Sequence, residues 1–237
     1  MIQTQVISSG SEGNAVIYNN AIMVDCGVTL KALEAVKRSL KIVLLTHQHG
    51  DHLKLRTLQR LQADRPTLRI ACADFLLEQL EGLTNIDVLQ VGKLYDYGVF
   101  KVSPVKLYHD VPNVGWRIFL NSGQKIFHAT DTAHLEGITA KGYDLYAIEH
   151  NYCEEYIQQA IEEAHAKGEY THAYGSINTH LSIQQAIEEA RANGEYTHAY
   201  GNINTHLSIQ QARAFIEANR KESSEVLELH KSRSFYK

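Results

Sequence analysis

Seven consecutive residues, Thr46-His47-Gln48-His49-Gly50-Asp51-His52, restrict what this chain can become more than any other stretch. They bring three imidazoles and a carboxylate onto one short loop, directly after the apolar run Lys41-Ile42-Val43-Leu44-Leu45. Four such donors can converge on a cation without help from distant sequence. The mix of imidazole and carboxylate suits a borderline metal such as zinc. The rival reading is a solvated polar turn at a strand end. The run over 42–45 is apolar throughout, as in a strand buried on both faces, so the loop sits at the end of a covered strand.

The rest of the chain mixes strands and helices. Residues 5–7, 15–18 and 21–25 read as strands, interrupted by the small-residue turn Ser8-Ser9-Gly10-Ser11-Glu12-Gly13-Asn14 and by Asn19-Asn20. Apolar spacing predicts helices over 29–39, 53–63 and 73–81, with Pro66 and Gly82 stopping the last two. Further strands are expected over 68–72, 86–89, 99–102, 105–108, 115–120, 124–129, 145–149 and 225–230. The turn Asn121-Ser122-Gly123 closes a hairpin. Strands in both halves with helices between them predict one α/β sandwich domain over residues 1–237, a length that supports a sizeable core.

The C-terminal third carries a near-perfect tandem repeat, residues 157–182 and 183–208. The two copies differ only at His165/Arg191, Lys167/Asn193 and Ser176/Asn202, and a third copy begins at Ile209 and diverges at Arg213. Each unit reads as an amphipathic helix closed by Gly168 or Gly194, then a polar loop ending in Thr-His-Leu-Ser. That serine, Ser182 or Ser208, is placed to cap the next helix. Two copies are too few for a solenoid, so this is a local duplication inside an otherwise complete fold.

A strand end followed by His-x-His-x-Asp-His resembles the metallo-β-lactamase superfamily. The resemblance implies a four-layer αββα sandwich with a metal site at one edge between the sheets. On it, His47, His49 and His109 (in Leu107-Tyr108-His109-Asp110) correspond to the ligands of a first metal, and Asp51 and His52 to those of a second. Asp131, in His128-Ala129-Thr130-Asp131-Thr132, corresponds to a carboxylate bridging both. Asp25 falls where the family keeps a buried acid that orients the ligand loop, a partner that ligating histidines need on their other ring nitrogen. The family has one further histidine, commonly followed by Leu-Ser. Here there are two, His180-Leu181-Ser182 and His206-Leu207-Ser208. His206 is preferred, because Arg213-Ala214-Phe215-Ile216 runs on from it into the last strand. The spare copy would bulge out or dock on a second chain in a homodimer, as in domain swapping. His230 ends the last strand, where it would contact a scissile phosphate or its leaving group. The pattern gives no role to His128, His134 or His150, and at most one of His172 and His198 would face the cleft.

An aspartate at 131, where the best-known true β-lactamases have cysteine, points to hydrolases of phosphodiesters and thioesters. The turn over 8–14, Asp25-Cys26-Gly27 and Ala129-Thr130-Asp131-Thr132 look most like the branch of YycJ-type nucleases and phosphoribosyl cyclic phosphodiesterases. The resemblance therefore implies a dinuclear metal-dependent hydrolase acting on a nucleic acid or small cyclic phosphate through a metal-bridging hydroxide, with Asp51 also orienting the nucleophile. A thioesterase or lactonase on the same site, or a non-catalytic metal-binding protein, are the alternatives. The ligand set suits two zinc ions and also admits manganese or iron.

Composition sharpens this. A formal charge of −4 argues against a broadly basic nucleic-acid surface, so positive charge for a phosphate would come from the metals. Cys26, Cys72 and Cys153 are scattered and odd in number, which reads as reduced thiols. With no basic or apolar leader at the N-terminus and no membrane-length apolar run, a cytoplasmic protein is the default.

Overall fold

The computed structural model of the protein describes residues 1–153 and 205–231. Each half of the chain builds one six-stranded mixed sheet. The first takes β1 (Thr4–Ser8), β2 (Ala15–Tyr18), β3 (Ile22–Val24), β4 (Ile42–Leu44), β5 (Arg69–Cys72) and β6 (Ile86–Val88) in sequence order. The second takes β7 (Tyr95–Asp96), β8 (Phe100–Leu107), β9 (Asn113–Leu120), β10 (Lys125–Ala129), β11 (Leu145–Glu149) and β12 (Glu225–Leu229), also in order. In both sheets the early strands pair antiparallel and the last ones parallel. As a result β3, β4, β8, β10, β11 and β12 deliver their C-terminal ends to the site, the usual place for ligands on parallel strands.

Alternation along the strands explains the layering. Val16, Tyr18, Val24, Ile42 and Leu44 from one sheet meet Val102, Val114, Trp116, Ile118 and Ile126 from the other in a shared core. The opposite face of the first sheet, with Ile17, Met23, Val43 and Ile70, packs on Leu58 and Leu61 of helix α1 (Leu55–Asp64). The outer face of the second sheet, with Phe127, Ala129, Tyr146 and Ile148, packs on Leu207, Ala212 and Ile216 of helix α2 (Ile209–Asn219) and the turn before it. The expected α/β sandwich is therefore present, with thin helical layers.

Two expectations need correction. The helices over 29–39 and 73–81 are only short 3-10 turns, Leu30–Leu33 and Asp74–Gln79, each burying a single apolar side chain of its own, Leu33 or Leu76. The strands expected over 99–102 and 105–108 are one strand, β8, running through Pro104. Pro104 is tolerated because its missing N–H points to the side where β7 has ended, and its carbonyl there accepts from Gly92 N. The capping expectation holds for the described copy: Ser208 accepts from Gln211 N and the Gln211 side chain accepts from Ser208 N, a full capping box. The remainder of the tandem repeat, with His172, His180 and His198, lies outside the described residues. Among the described residues, no helix is long and apolar enough to cross a membrane.

One close approach fixes the ligand loop to the first sheet. Cys26 N donates to His52 O, Lys54 N to Cys26 O, and Asn14 N to Asp51 O, so the strand end at 25–27 lies flat on residues 51–54. A Cβ on Gly27 would overlap the Asp51 carbonyl oxygen. Gly27→Ala is therefore expected to destabilise the protein by about 3 kcal/mol. A urea titration that leaves the midpoint unchanged would contradict this.

Candidate metal centre

The site is built from strand ends. β3 leads to Asp25, β4 to the loop over 46–52, β8 to His109, β10 to Asp131, β11 to Glu149 and β12 to His230, while the N-terminal approach to α2 brings His206. The two sheets are joined here by Val114 N donating to Thr46 O at 3.3 Å. Three of these residues, Asp25, Asp131 and His230, take left-handed backbone angles (φ 61, 56 and 49°). Aspartate and histidine tolerate such angles better than most side chains, and here the turns they make directly after strands β3, β10 and β12 bring all three side chains to the site.

His47, His49 and His109 form one convergence of donor atoms, with His47 Nε2 3.1 Å and His109 Nε2 3.3 Å from His49 Nδ1. Asp51, His52 and His230 form a second; His47, His52 and Asp131 a third; and Asp131, Glu149, His206 and His230 a fourth. Asp131 joins these groups. Its Oδ2 lies 2.9 Å from His52 Nε2, and its Oδ1 lies 3.3 Å from both His206 Nδ1 and His230 Nε2. The structure thus brings together His47, His49, Asp51, His52, His109, Asp131, His206 and His230, while His180 lies outside the described residues.

Hydrogen bonds behind the imidazoles decide which nitrogen faces inward. Asp25, buried, accepts from Thr46 N and Thr46 Oγ1 at 2.9 Å and from His52 Nδ1 at 2.7 Å. Asn14 Nδ2 lies 2.8 Å from His52 Nε2 and 3.3 Å from Asp51 Oδ2. His109 donates from Nδ1 to Thr205 O at 2.8 Å, leaving its Nε2 lone pair for the site. The Glu149 carboxylate, wholly buried, accepts from Thr132 N (2.6 Å) and Leu207 N (3.2 Å) through Oε1, and meets His206 Nδ1 at 3.0 Å through Oε2.

Burial pulls the His52 imidazole toward neutrality, but the Asp131 and Asp25 carboxylates override it and hold the ring well above its ordinary value. Burial, with His52 adding to it, drives His47 well below. Burial also lowers His109. Asp131 goes the other way: despite burial, His230 and His52 hold it well below the usual carboxylate range. Metal ions in this place would supply the positive charge that the carboxylates otherwise draw from His52. The donor chemistry fits such ions. Asp131 Oδ2 and His230 Nε2 are buried and close to opposite charge, yet make no hydrogen bond of acceptable geometry. Most buried polar atoms have a partner, and an ion between these groups would supply one here.

Sequence reading gave no task to Asn14 or Glu149, whose signals were only a turn asparagine and an acid at a strand end. His128 is buried at 2.8 Å from Tyr18 Oη across the sheets, and burial pushes its imidazole down to about 3. It is a neutral tie between layers.

Comparisons with known proteins agree with this fold. Exodeoxyribonuclease YycJ of Bacillus anthracis is 26% identical over 164 residues, 62% of this chain, which in turn spans 62% of that relative's length. The crystal structure of the metallo-β-lactamase fold protein YhfI from Bacillus subtilis superposes with a TM-score of 0.58 at 21% identity, covering 65% of this chain and 74% of that one. Human tRNase Z, short form, superposes with a TM-score of 0.64 at 15% identity, covering 98% of this chain and 93% of its own. A diphosphatase from the PhnP family gives 0.56 at 14%, over 99% and 89%. The family profile for the beta-lactamase superfamily domain matches residues 20–198, more than half of the chain, and with the two-sheet sandwich and the His/Asp cluster at its edge this chain belongs to the metallo-β-lactamase superfamily.

Proposed function

We propose that this single domain is a dinuclear metal-dependent hydrolase of phosphodiesters. The observation that carries the reading is Asp131, whose two oxygens face His52 on one side and His206 and His230 on the other. His47, His49 and His109 would hold one divalent cation, zinc or alternatively manganese or iron, and Asp51, His52 and His230 the other, with Asp131 between them. This reading exchanges the roles first expected for His206 and His230. His230 Nε2 is buried, lies 3.3 and 3.7 Å from Asp131 and Asp51 and makes no hydrogen bond of acceptable geometry, whereas the His206 nitrogen nearest Asp131 is already held by Glu149. His206 is then left to act on substrate at the cleft.

When bound, the cations supply a water that ionises near neutral pH and a charge that stabilises a phosphorane-like transition state. Asp51, a quarter exposed, lines the cleft and orients the attacking water. The relative named an exodeoxyribonuclease and the diphosphatase of like fold favour a phosphodiester over a thioester. Free Cys26 and Cys72, both buried, agree with a reducing compartment.

The reading is tested by incubating the metal-loaded protein with single-stranded DNA, RNA, a cyclic phosphodiester and a thioester, using His47→Ala as the blank. Phosphodiester cleavage lost in the blank and on chelation supports it. Thioester turnover alone would replace it with the thioesterase or lactonase reading, and no turnover with stoichiometric metal would leave a binding protein.

A further inference from the structure

The formal charge of −4 hides a division within the chain. Residues 31–69 hold nine of the 23 lysines and arginines but three of the 27 acids, +6 in all, which leaves −10 on the remainder. Two of those acids, Glu34 and Asp64, are both taken by Lys37 Nζ, at 3.1 and 2.6 Å, and the third, Asp51, belongs to the metal centre. Lys31, Arg38, Lys54, Arg56 and Arg60 pair with no carboxylate among the described residues, and all but the half-buried Lys54 are exposed. Helix α1 gathers this charge. It starts three residues after His52 and runs back along the outer face of the first sheet, burying Leu58 and Leu61. Its far end is tied to the start of β4, where Arg65 donates to Lys37 O at 3.0 Å and to Leu40 O at 3.2 Å. Arg56 and Arg60 therefore lie one turn apart on the solvent face, on a line leading away from the donor loop. The helix carries its charges against its own dipole. Its first turn has Arg56 and no acid, its last turn has Asp64 and no base, and Lys54 at the N-cap makes no side-chain cap. Cations at a helix N-terminus and like charges four residues apart both oppose helix formation. Folding alone gives no reason for this pattern, whereas a bound polyanion would reverse both effects.

We propose that the solvent face of α1, flanked by Lys31 and Arg38, is a track for the sugar-phosphate backbone of a single-stranded nucleic acid whose end lies in the metal centre. A single row of cations, one per helical turn, follows one backbone, and neutralising its phosphates releases their counterions. Contacts of this kind hold a strand in place and carry no sequence information, so the track is indifferent to the bases. The inference rests on the phosphodiester reading and deepens it, making the substrate a polymer rather than a small cyclic phosphate. Binding along the track needs no turnover, so the two can fail separately.

The test follows the fluorescence anisotropy of a labelled oligo-dT of about 20 nucleotides, titrated with the non-cleaving His47→Ala protein between about 50 and 200 mM salt. Adding Arg56→Gln and Arg60→Gln should weaken binding roughly 10-fold at low salt and flatten the slope of log affinity against log salt by about 0.7 per arginine. The same two substitutions should leave the urea midpoint equal or higher, since they remove charges that oppose the helix. In the metal-loaded protein with His47 intact they should raise KM for the strand with kcat little changed, and the loss on a cyclic phosphodiester should be far smaller. An unaltered salt slope overturns the proposal. So does an equal loss on the cyclic phosphodiester, which would put the arginines in the cleft. Tighter binding of a blunt duplex of the same length overturns the assignment to a single strand. Strand binding with the expected slope but no cleavage by the metal-loaded protein would overturn the hydrolase reading and leave the track in place. Cleavage with an unaltered slope does the reverse.

Discussion

Replacing Asp131 with alanine is expected to lower turnover of a phosphodiester on the order of 10³-fold and to reduce bound metal, while leaving the sandwich folded. The side chain is buried and in contact with His52, His206 and His230, so the variant removes a carboxylate that faces three imidazoles at once. The atoms lost are few and lie at the sheet edge rather than between the sheets, which limits the packing cost. Asp131→Asn is the companion variant. Asparagine accepts the left-handed angle at this position (φ 56°) and keeps the shape, so it isolates the charge. Elemental analysis and steady-state kinetics on both variants provide the check. Near-normal turnover in Asp131→Ala would refute a site centred on this residue.

Asp25→Ala should strike stability as hard as activity. Its carboxylate is the acceptor for Thr46 N, Thr46 Oγ1 and His52 Nδ1, all buried. Removing one partner of a buried charged pair leaves the others desolvated and unpaired, a loss of about 3–5 kcal/mol. With His52 no longer held, metal affinity should fall by roughly 10–100-fold. Denaturant unfolding of the metal-stripped variant separates the two effects. A midpoint equal to that of the stripped parent would show that Asp25 carries no structural load.

Much of the site could be read from the chain before it was folded. His47, His49, Asp51 and His52 are within six positions of one another, and a strand followed by a tight loop leaves them few places to go. His109 and Asp131 were legible only through the family resemblance that the donor loop brings with it, since neither carries a local pattern of its own. Asn14 and Glu149 were not. Neither has a local pattern, since the groups that give them meaning are Asp51 and His52 for one, Thr132 and His206 for the other. The 3-10 turns were misread for a related reason. Apolar spacing reports which side chains seek burial, and Leu33, Leu76 and Leu80 do find it, but burial of those side chains does not by itself choose between α and 3-10 hydrogen bonding.

The repeat marks the boundary between the two kinds of information. His180 and His206 stand in the same ten-residue stretch, Ile-Asn-Thr-His-Leu-Ser-Ile-Gln-Gln-Ala, so local sequence gives them equal standing. The residues downstream of each histidine differ: Phe215 and Ile216 pack beside Phe127 under the second sheet, where the other copy has Glu189 and Ala190. Sequence by itself determined the donor loop and the mixture of strands and helices, because these depend on spacing and alternation along the chain, and its motifs carried the resemblance to a hydrolase superfamily. Only the tertiary structure placed His206 on Glu149 and aimed His230 at Asp51 and Asp131. Those assignments depend on which buried carboxylate each ring nitrogen meets, and that is fixed by packing between segments more than fifty residues apart.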